Sequence, residues 1–197
     1  MIKLNKIYTK TGDAGQTSLG DGSRIDKSSK VIIAVGSLDE LNAFLGVCII
    51  YLKGKNKVFL QKVQHDIFDL GADLIMPRNN KNRSSLRISK EHIVRLEKEI
   101  DSINKKIPSL NSFVLPGGSL GSSNLHVART ICRRCELNII KLNKIVPLNK
   151  LLLQYINRLS DYLFVLARLV NQSTGEEILW KPGKNISKKR KPNGNKK

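Results

Sequence analysis

The chain has 197 residues, with 35 Lys and Arg against 16 Asp and Glu and a formal net charge of +19. That length suits one domain, or a domain with a tail, and is enough to bury a core without disulfides or metal staples. At 40% hydrophobic it is not disordered throughout, and no apolar run approaches the roughly 20 residues that cross a bilayer.

Residues 6–30 (KIYTKTGDAGQTSLGDGSRIDKSSK) are rich in Gly, Thr, Ser and Asp and lack helical periodicity, which predicts an ordered loop. Ser37-Leu-Asp-Glu40 has the form of a capping box, predicting a first helix to about Leu52 with Leu38, Leu41, Leu45, Cys48 and Ile49 on one stripe. A second helix is expected from Val58 to Met76, stopped by Pro77, and residues 78–88 form a basic loop. A third starts at Ser89. Its Ile93, Leu96, Ile100, Ile103 and Ile107 keep the 3-4 spacing of a bundle seam before Pro108. Phe113–Ser119 (FVLPGGS) reads as a turn. A fourth helix follows from Gly121 to Leu142, and a fifth from Pro147 to Ser173. Five amphipathic helices with few strand signals make an all-α bundle.

The charge is unevenly placed. Residues 181–197 hold eight Lys and Arg and no acid, leaving +11 on residues 1–180. This tail has almost nothing apolar to offset its ordering entropy and reads as disordered, either merely solvated or an electrostatic arm. Cys48, Cys132 and Cys135 are too few, and odd in number, for a secreted disulfide framework. Cys132-Arg-Arg-Cys135 has the C-x-x-C spacing, but lies in a helical stretch without a second pair, so reduced thiols are expected. MIKLNK is too short for a signal peptide before the first motif, and a cytoplasmic location follows as the expectation.

Three constellations could carry chemistry. Thr9-Lys10-Thr11-Gly12-Asp13-x-Gly15-x-Thr17-Ser18, with Arg24 and Lys27, has glycines that admit an anion to backbone amides, hydroxyls that donate to phosphate, and balancing lysines. It is not a P-loop, because Thr17-Ser18 stands where Gly-Lys is required, and a plain Gly-rich turn remains open. On the fourth helix, Arg129, Arg133 and Glu136 share a face, with Arg134 about 100° away. Such a cluster suits phosphate recognition or a solvated ion-pair face. On the fifth, Asn157 and Asp161 share a face, with Arg168 two turns beyond, as a buried polar network or a site wall. His65, His92 and His126 have no metal-ligand spacing, and no nucleophile triad is present.

Together, TKTGDAGQTSLGDGSRIDK (9–27), AVGSLDELNAFLG (34–46), FVLPGGS (113–119), HVARTICRRCE (126–136) and NRLSDYLFVLAR (157–168) resemble the PduO-type ATP:cob(I)alamin adenosyltransferases, or corrinoid adenosyltransferases. The motifs stand in the family's order and span most of residues 6–170. The resemblance implies a ferritin-like, cobalamin adenosyltransferase-like five-helix bundle over residues 1–180, assembled as a homotrimer with ATP and corrinoid between subunits. It places ATP on Thr9, Lys10, Thr11, Gly12, Thr17, Ser18, Lys27, Arg133, Arg134, Glu136 and Asn157, with Lys10 and Arg133 in the catalytic role. Asp39 and Arg129 match positions that pair across the subunit interface, and Phe113 matches the aromatic at the lower face of cobalt. Leu137 departs from the pattern, which often has a further Arg there, and this could weaken ATP binding.

The implied reaction is attack of cob(I)alamin on the 5′ carbon of ATP with loss of triphosphate, giving adenosylcobalamin. Mg²⁺ would ride on the ATP phosphates. A cob(II)alamin reductase and an adenosylcobalamin-dependent enzyme are implied partners, and no membrane is. Two rival readings stay open: a basic helical nucleic-acid-binding protein, and a binding protein whose catalysis has decayed.

Overall fold

The computed structural model describes residues 8, 10–75, 86–172, 174 and 177–186. It holds β1 (Gln16–Ser18), β2 (Arg24–Asp26), α1 (Lys30–Ile50), α2 (Gly54–Ile75), α3 (Lys90–Asn104), α4 (Leu120–Asn143) and α5 (Lys150–Gln172). Helix α4 packs on α5 and α1, α3 on α5, and α2 on α1. The core runs along these seams through Leu38, Leu41, Leu45, Leu60, Leu70, Leu96, Leu125, Ile139, Tyr155 and Leu163. The expected stripe of α1 and the isoleucine seam of α3 both face inward, with Ile100 alone only partly buried.

Several boundaries differ from the sequence reading. Helix α1 begins at Lys30, with the Ser29 hydroxyl accepting from Ile32 N. Ser37 is no cap: it is buried inside the helix and donates to Ala34 O at 2.7 Å. Val31, Ile32, Ile33 and Val35 are β-branched and poor helix formers alone. Ile33 is exposed, but Ala34 is buried and Val31 and Val35 pack on the core, so packing of that one face overrides local preference. Helix α2 starts at Gly54 rather than Val58, and Met76 lies outside the described residues, as do 78–85 of the basic loop. Pro147 sits upstream of α5. Asn149 instead turns the chain into that helix, its side-chain oxygen accepting from Leu151 N at 3.1 Å.

The same Asn149 donates to Asp73 Oδ2 and to Ile88 O, each at 2.9 Å. The buried Asp73 carboxylate also accepts from Ile88 N at 3.0 Å and pairs with Arg87. A second buried acid on α2, Asp66, pairs with Arg95 and accepts from Tyr155 Oη at 2.8 Å. Each acid therefore holds partners from other parts of the bundle.

Helix α1 is long and apolar enough to cross a bilayer by length and composition, which corrects the expectation that no such run exists. Its apolar stripe is already covered by α2 and α4, as for the core helix of a bundle. At the C-terminal end, Val114 pairs with Leu179 in an isolated antiparallel bridge. Residues 181–186 form hydrogen-bonded turns, with Lys184 N on Lys181 O and Ile186 N on Gly183 O. Residues 181–186, expected to be disordered, are thus ordered, and residues 187–197 of that expected tail lie outside the described residues.

Candidate active site

The Gly-rich segment is ordered by a small hairpin. Thr17 pairs with Ile25 and Ser18 with Arg24. Asp21 closes the turn, accepting from Ser23 N at 2.9 Å and Ser23 Oγ at 2.6 Å, and the hydroxyl chiefly holds its carboxyl below the usual range. Two cations fold the preceding loop back on the hairpin. Arg24 donates to Thr11 O at 2.6 Å and to Ser18 Oγ at 3.2 Å, and Lys27 Nζ donates to Gly12 O at 2.8 Å. A Cβ on residue 12 would lie 3.0 Å from Lys27 Nζ and 3.3 Å from Gln16 O, so glycine is what lets this lysine close. Lys10, exposed at the loop's edge, has φ 59°, a left-handed conformation unusual outside glycine. Thr11, Gly12, Ser18 and Lys27 are therefore gathered in one place. Thr9 lies outside the described residues.

A cavity of ≈ 590 Å³ opens between this hairpin and helices α1 and α2. Thr17, Ser18, Lys27 and Asp39 give it a polar rim, and Val35, Ile67 and Ile75 line its apolar walls.

The second cluster spans α4 and α5. Asn157 Nδ2 donates to Glu136 Oε1 at 3.0 Å. Asn157 Oδ1 in turn accepts from Arg158, which also donates to Glu97 at 3.0 Å and Asp161 at 3.1 Å. Arg133 is exposed on α4 one turn before Leu137, which is also exposed. Arg134 pairs with Glu40 on α1, and that hydrogen bond chiefly raises its pKa. Of the two readings of Asn157, Asp161 and Arg168, a buried network or a site wall, Arg158 joins the first two but the network does not reach Arg168, whereas Asp161 and Arg168 both line one cavity with Arg158. Asp161 is exposed beside Arg158, while Arg168 is buried farther along and bound to Glu177.

A third element is a cavity of ≈ 630 Å³ lined by Phe113, Val114, Arg129, Phe164, Trp180 and Pro182, among others. Phe113 is 77% exposed, with its ring centroid 6.0 Å from that of Trp180. Arg129 is half-buried, and its Nε has no partner among the described residues. Burial, then the nearby Arg133 charge, lowers its pKa. Asp39 and Arg129 do not meet within the chain: one lines the hairpin cavity, the other the Phe113 cavity. The Phe113 cavity takes no wall from the hairpin, and the hairpin cavity takes none from α4.

Sequence reasoning missed Trp180 and the backbone pairing that carries it, because a lone Trp just before a basic tail gives no periodic signal. The C-x-x-C cysteines are free and buried. Cys132 Sγ donates to Ile156 O at 3.3 Å and Cys135 Sγ to Ser37 O at 2.8 Å, as expected of reduced thiols.

The family model described as "Cobalamin adenosyltransferase" matches residues 7–170. The corrinoid adenosyltransferase of Mycobacterium leprae is 44% identical over 190 residues, covering 92% of this chain and 98% of its own. That of Bacillus subtilis is 42% identical, covering 86% and 89%. Among solved structures, a phenylalanine-to-alanine variant of the PduO-type ATP:corrinoid adenosyltransferase from Lactobacillus reuteri, complexed with cobalamin and ATP, superposes with a TM-score of 0.83. It shares 36% identity and covers 89% of this chain and 99% of that one. Two separated motif clusters on one bundle and these end-to-end matches lead to one conclusion: the chain belongs to the cobalamin adenosyltransferase family.

Proposed function

We infer that this protein transfers the 5′-deoxyadenosyl group of ATP to cob(I)alamin, yielding adenosylcobalamin and triphosphate. The observation that carries the reading is the 10–27 loop, where Lys27 and Arg24 fold a Gly- and hydroxyl-rich backbone into a cationic cradle. Such a cradle fits a triphosphate.

In this reaction a cobalt–carbon bond forms at C5′ as the C5′–oxygen bond breaks, and the departing triphosphate keeps that electron pair. The reduced corrinoid is the nucleophile, so the chain needs no Ser, Cys or Lys for attack. Its task is to orient ATP and to stabilise charge on the leaving group. We assign the phosphates to Lys10, Thr11, Gly12, Thr17, Ser18 and Lys27, with Thr9 next in the chain. The nucleoside end goes to Arg134, Glu136 and Asn157, and Arg133 to the breaking bond. Magnesium would be carried by phosphate oxygens. Among the described residues, no three His, Cys, Asp or Glu side chains cluster to hold an ion.

Phe113, projecting into its cavity, would exclude a ligand from the lower face of cobalt and so ease formation of Co(I).

We further propose a homotrimer in which the hairpin of one subunit faces α4 of the next, and Asp39 meets Arg129 of the neighbouring copy. Arg129 Nε, without a partner among the described residues, and the exposed Val127 and Leu137 on α4 support this arrangement. We place the enzyme in the cytoplasm, where its three free, buried thiols would stay reduced. There a cob(II)alamin reductase would supply it and an adenosylcobalamin-dependent enzyme would take its product.

Incubation with Mg-ATP and chemically reduced cobalamin should develop the adenosylcobalamin spectrum. A folded protein that gives no conversion overturns the reading. ATP binding without turnover would instead favour a decayed enzyme. The nucleic-acid alternative is separated by truncation after Ile186, which should leave activity intact.

A further inference from the structure

Phe113 lies in the connection between α3 and α4, residues 105–119, and its exposed ring has little packing of its own to fix it. Its position is inherited from the backbone around it. That backbone is gripped from one end of α5. Arg168 Nη2 donates to Pro108 O at 2.8 Å, and Gln172 Nε2 donates to Lys106 O at 2.8 Å. Asn171 Nδ2 donates to Gly117 O at 3.0 Å, while its Oδ1 accepts from Ser119 N at 3.0 Å and Ser119 Oγ at 3.2 Å. The three side chains fall within five residues of one helix, so the segment is held on both sides of Phe113 by a single rigid element.

Arg168 does a second thing. Its Nε and Nη2 donate to the Glu177 carboxylate at 2.8 and 3.2 Å. Glu177 begins the strip whose backbone then pairs with the Phe113 segment: Leu115 N donates to Ile178 O at 2.9 Å and Trp180 N to Phe113 O at 2.7 Å. Ser112 Oγ closes on Trp180 O at 2.7 Å. Arg168 and Asn171 are 5% and 1% exposed. Polar groups this deeply buried are costly unless their bonds are made, and here the bonds converge on the loop that carries Phe113.

We propose that Arg168, through Glu177, and Asn171 are positioning residues for the adenosyl transfer: they clamp the 106–119 segment so that Phe113 is held at the cobalt face. This rests on the reading under Proposed function. A side chain that must exclude a competing ligand has to be held to within about 0.5 Å, which an exposed ring on an unbraced loop does not achieve.

The test uses the full chain with Mg-ATP and cobalamin, in Glu177→Gln, Asn171→Ala and Phe113→Ala variants and the Phe113→Ala/Asn171→Ala and Phe113→Ala/Glu177→Gln doubles. The readouts are kcat, the KM of each substrate, and the spectrum of bound cob(II)alamin, which reports whether cobalt's lower axial position is empty. Glu177→Gln and Asn171→Ala should each lower kcat by about tenfold or more. They should also shift the spectrum toward the ligand-bound form, with the KM for ATP within about twofold of wild type. Each double variant should lose little beyond Phe113→Ala alone, because the clamp acts through that ring.

Additive losses, an ATP KM that rises in step with the fall in kcat, or an unchanged spectrum in active variants overturns the proposal. If Asn171→Ala does not fold, Glu177→Gln, which changes a partly exposed carboxylate, carries the same comparison. A wild-type protein that makes no adenosylcobalamin overturns the underlying reading and the proposal together, whereas an active wild type with additive variants overturns the clamp alone.

Discussion

Asn157 Nδ2 donates to Glu136 Oε1 at 3.0 Å, tying α5 to α4 at the point where both helices present polar groups beside Arg133. Both side chains are half-buried, so the bond orients groups that a ligand can still reach. Asn157→Ala should raise the KM for ATP by about tenfold, since it removes a donor and lets the carboxylate swing. The cost to stability should stay near 1 kcal/mol, the worth of one such bond. Steady-state kinetics beside urea denaturation separates the two. A large loss of stability with unchanged KM would make the pair purely structural.

Gly118 has φ +94°, and a Cβ there would lie 2.3 Å from the Asn171 side-chain amide. Both backbone strain and collision oppose any larger residue. Gly118→Ala should destabilise the fold by about 2 kcal/mol or more, read as a lower urea midpoint at constant slope. Unchanged stability would mean that Asn171 re-seats freely.

His126 is buried against Phe164, with ring centroids 6.2 Å apart, and neither ring nitrogen has a partner among the described residues. Burial first, then the Arg129 charge, pulls its pKa below the ordinary 6.5, with Glu177 opposing. The unfolded chain therefore binds the proton more readily than the folded one. Stability conferred by the neutral ring is fully present above pH 6.5, declines as pH falls toward the folded-state value, and changes no further below it. His126→Leu should flatten this acid limb in denaturation curves taken between about pH 7 and 5. An unaltered limb would assign the acid sensitivity elsewhere.

The thiols should be inert. Burial pushes Cys48 up to about 12 and Cys135 to about 11, and raises Cys132 strongly. Only the thiolate reacts, so a disulfide reagent at pH 8 should label none of the three until denaturant is added. Labelling of Cys132 or Cys135 in the native protein would reopen a redox role for the C-x-x-C.

Helices were legible where the apolar spacing was regular, as in α3, whose isoleucines face the core as the spacing requires. Where β-branched residues began a helix, as in α1, local signals placed the cap eight residues too late, at Ser37 instead of Ser29, because packing stabilises what propensity does not. The hairpin went unread for the opposite reason: two three-residue strands are too short for a period-2 pattern. At the site, Glu136 and Asn157 were named separately, and the structure adds that they touch. The grip of Arg168 and Asn171 on the Phe113 loop joins residues about 50 to 60 apart in sequence, and no local pattern encodes such a meeting.

In the proposed homotrimer, the separation of Asp39 from Arg129, each lining a different cavity of one chain, would place halves of two sites on each subunit rather than one whole site. Defects on the two halves should then complement. Lys27→Ala disables a hairpin, Arg133→Ala disables an α4 face, and each variant alone should be nearly inactive. Subunits exchanged between them would unite an intact hairpin with an intact helix at about a quarter of randomly formed junctions. Activity would reappear on mixing two dead proteins, whereas a site completed within one chain would stay silent.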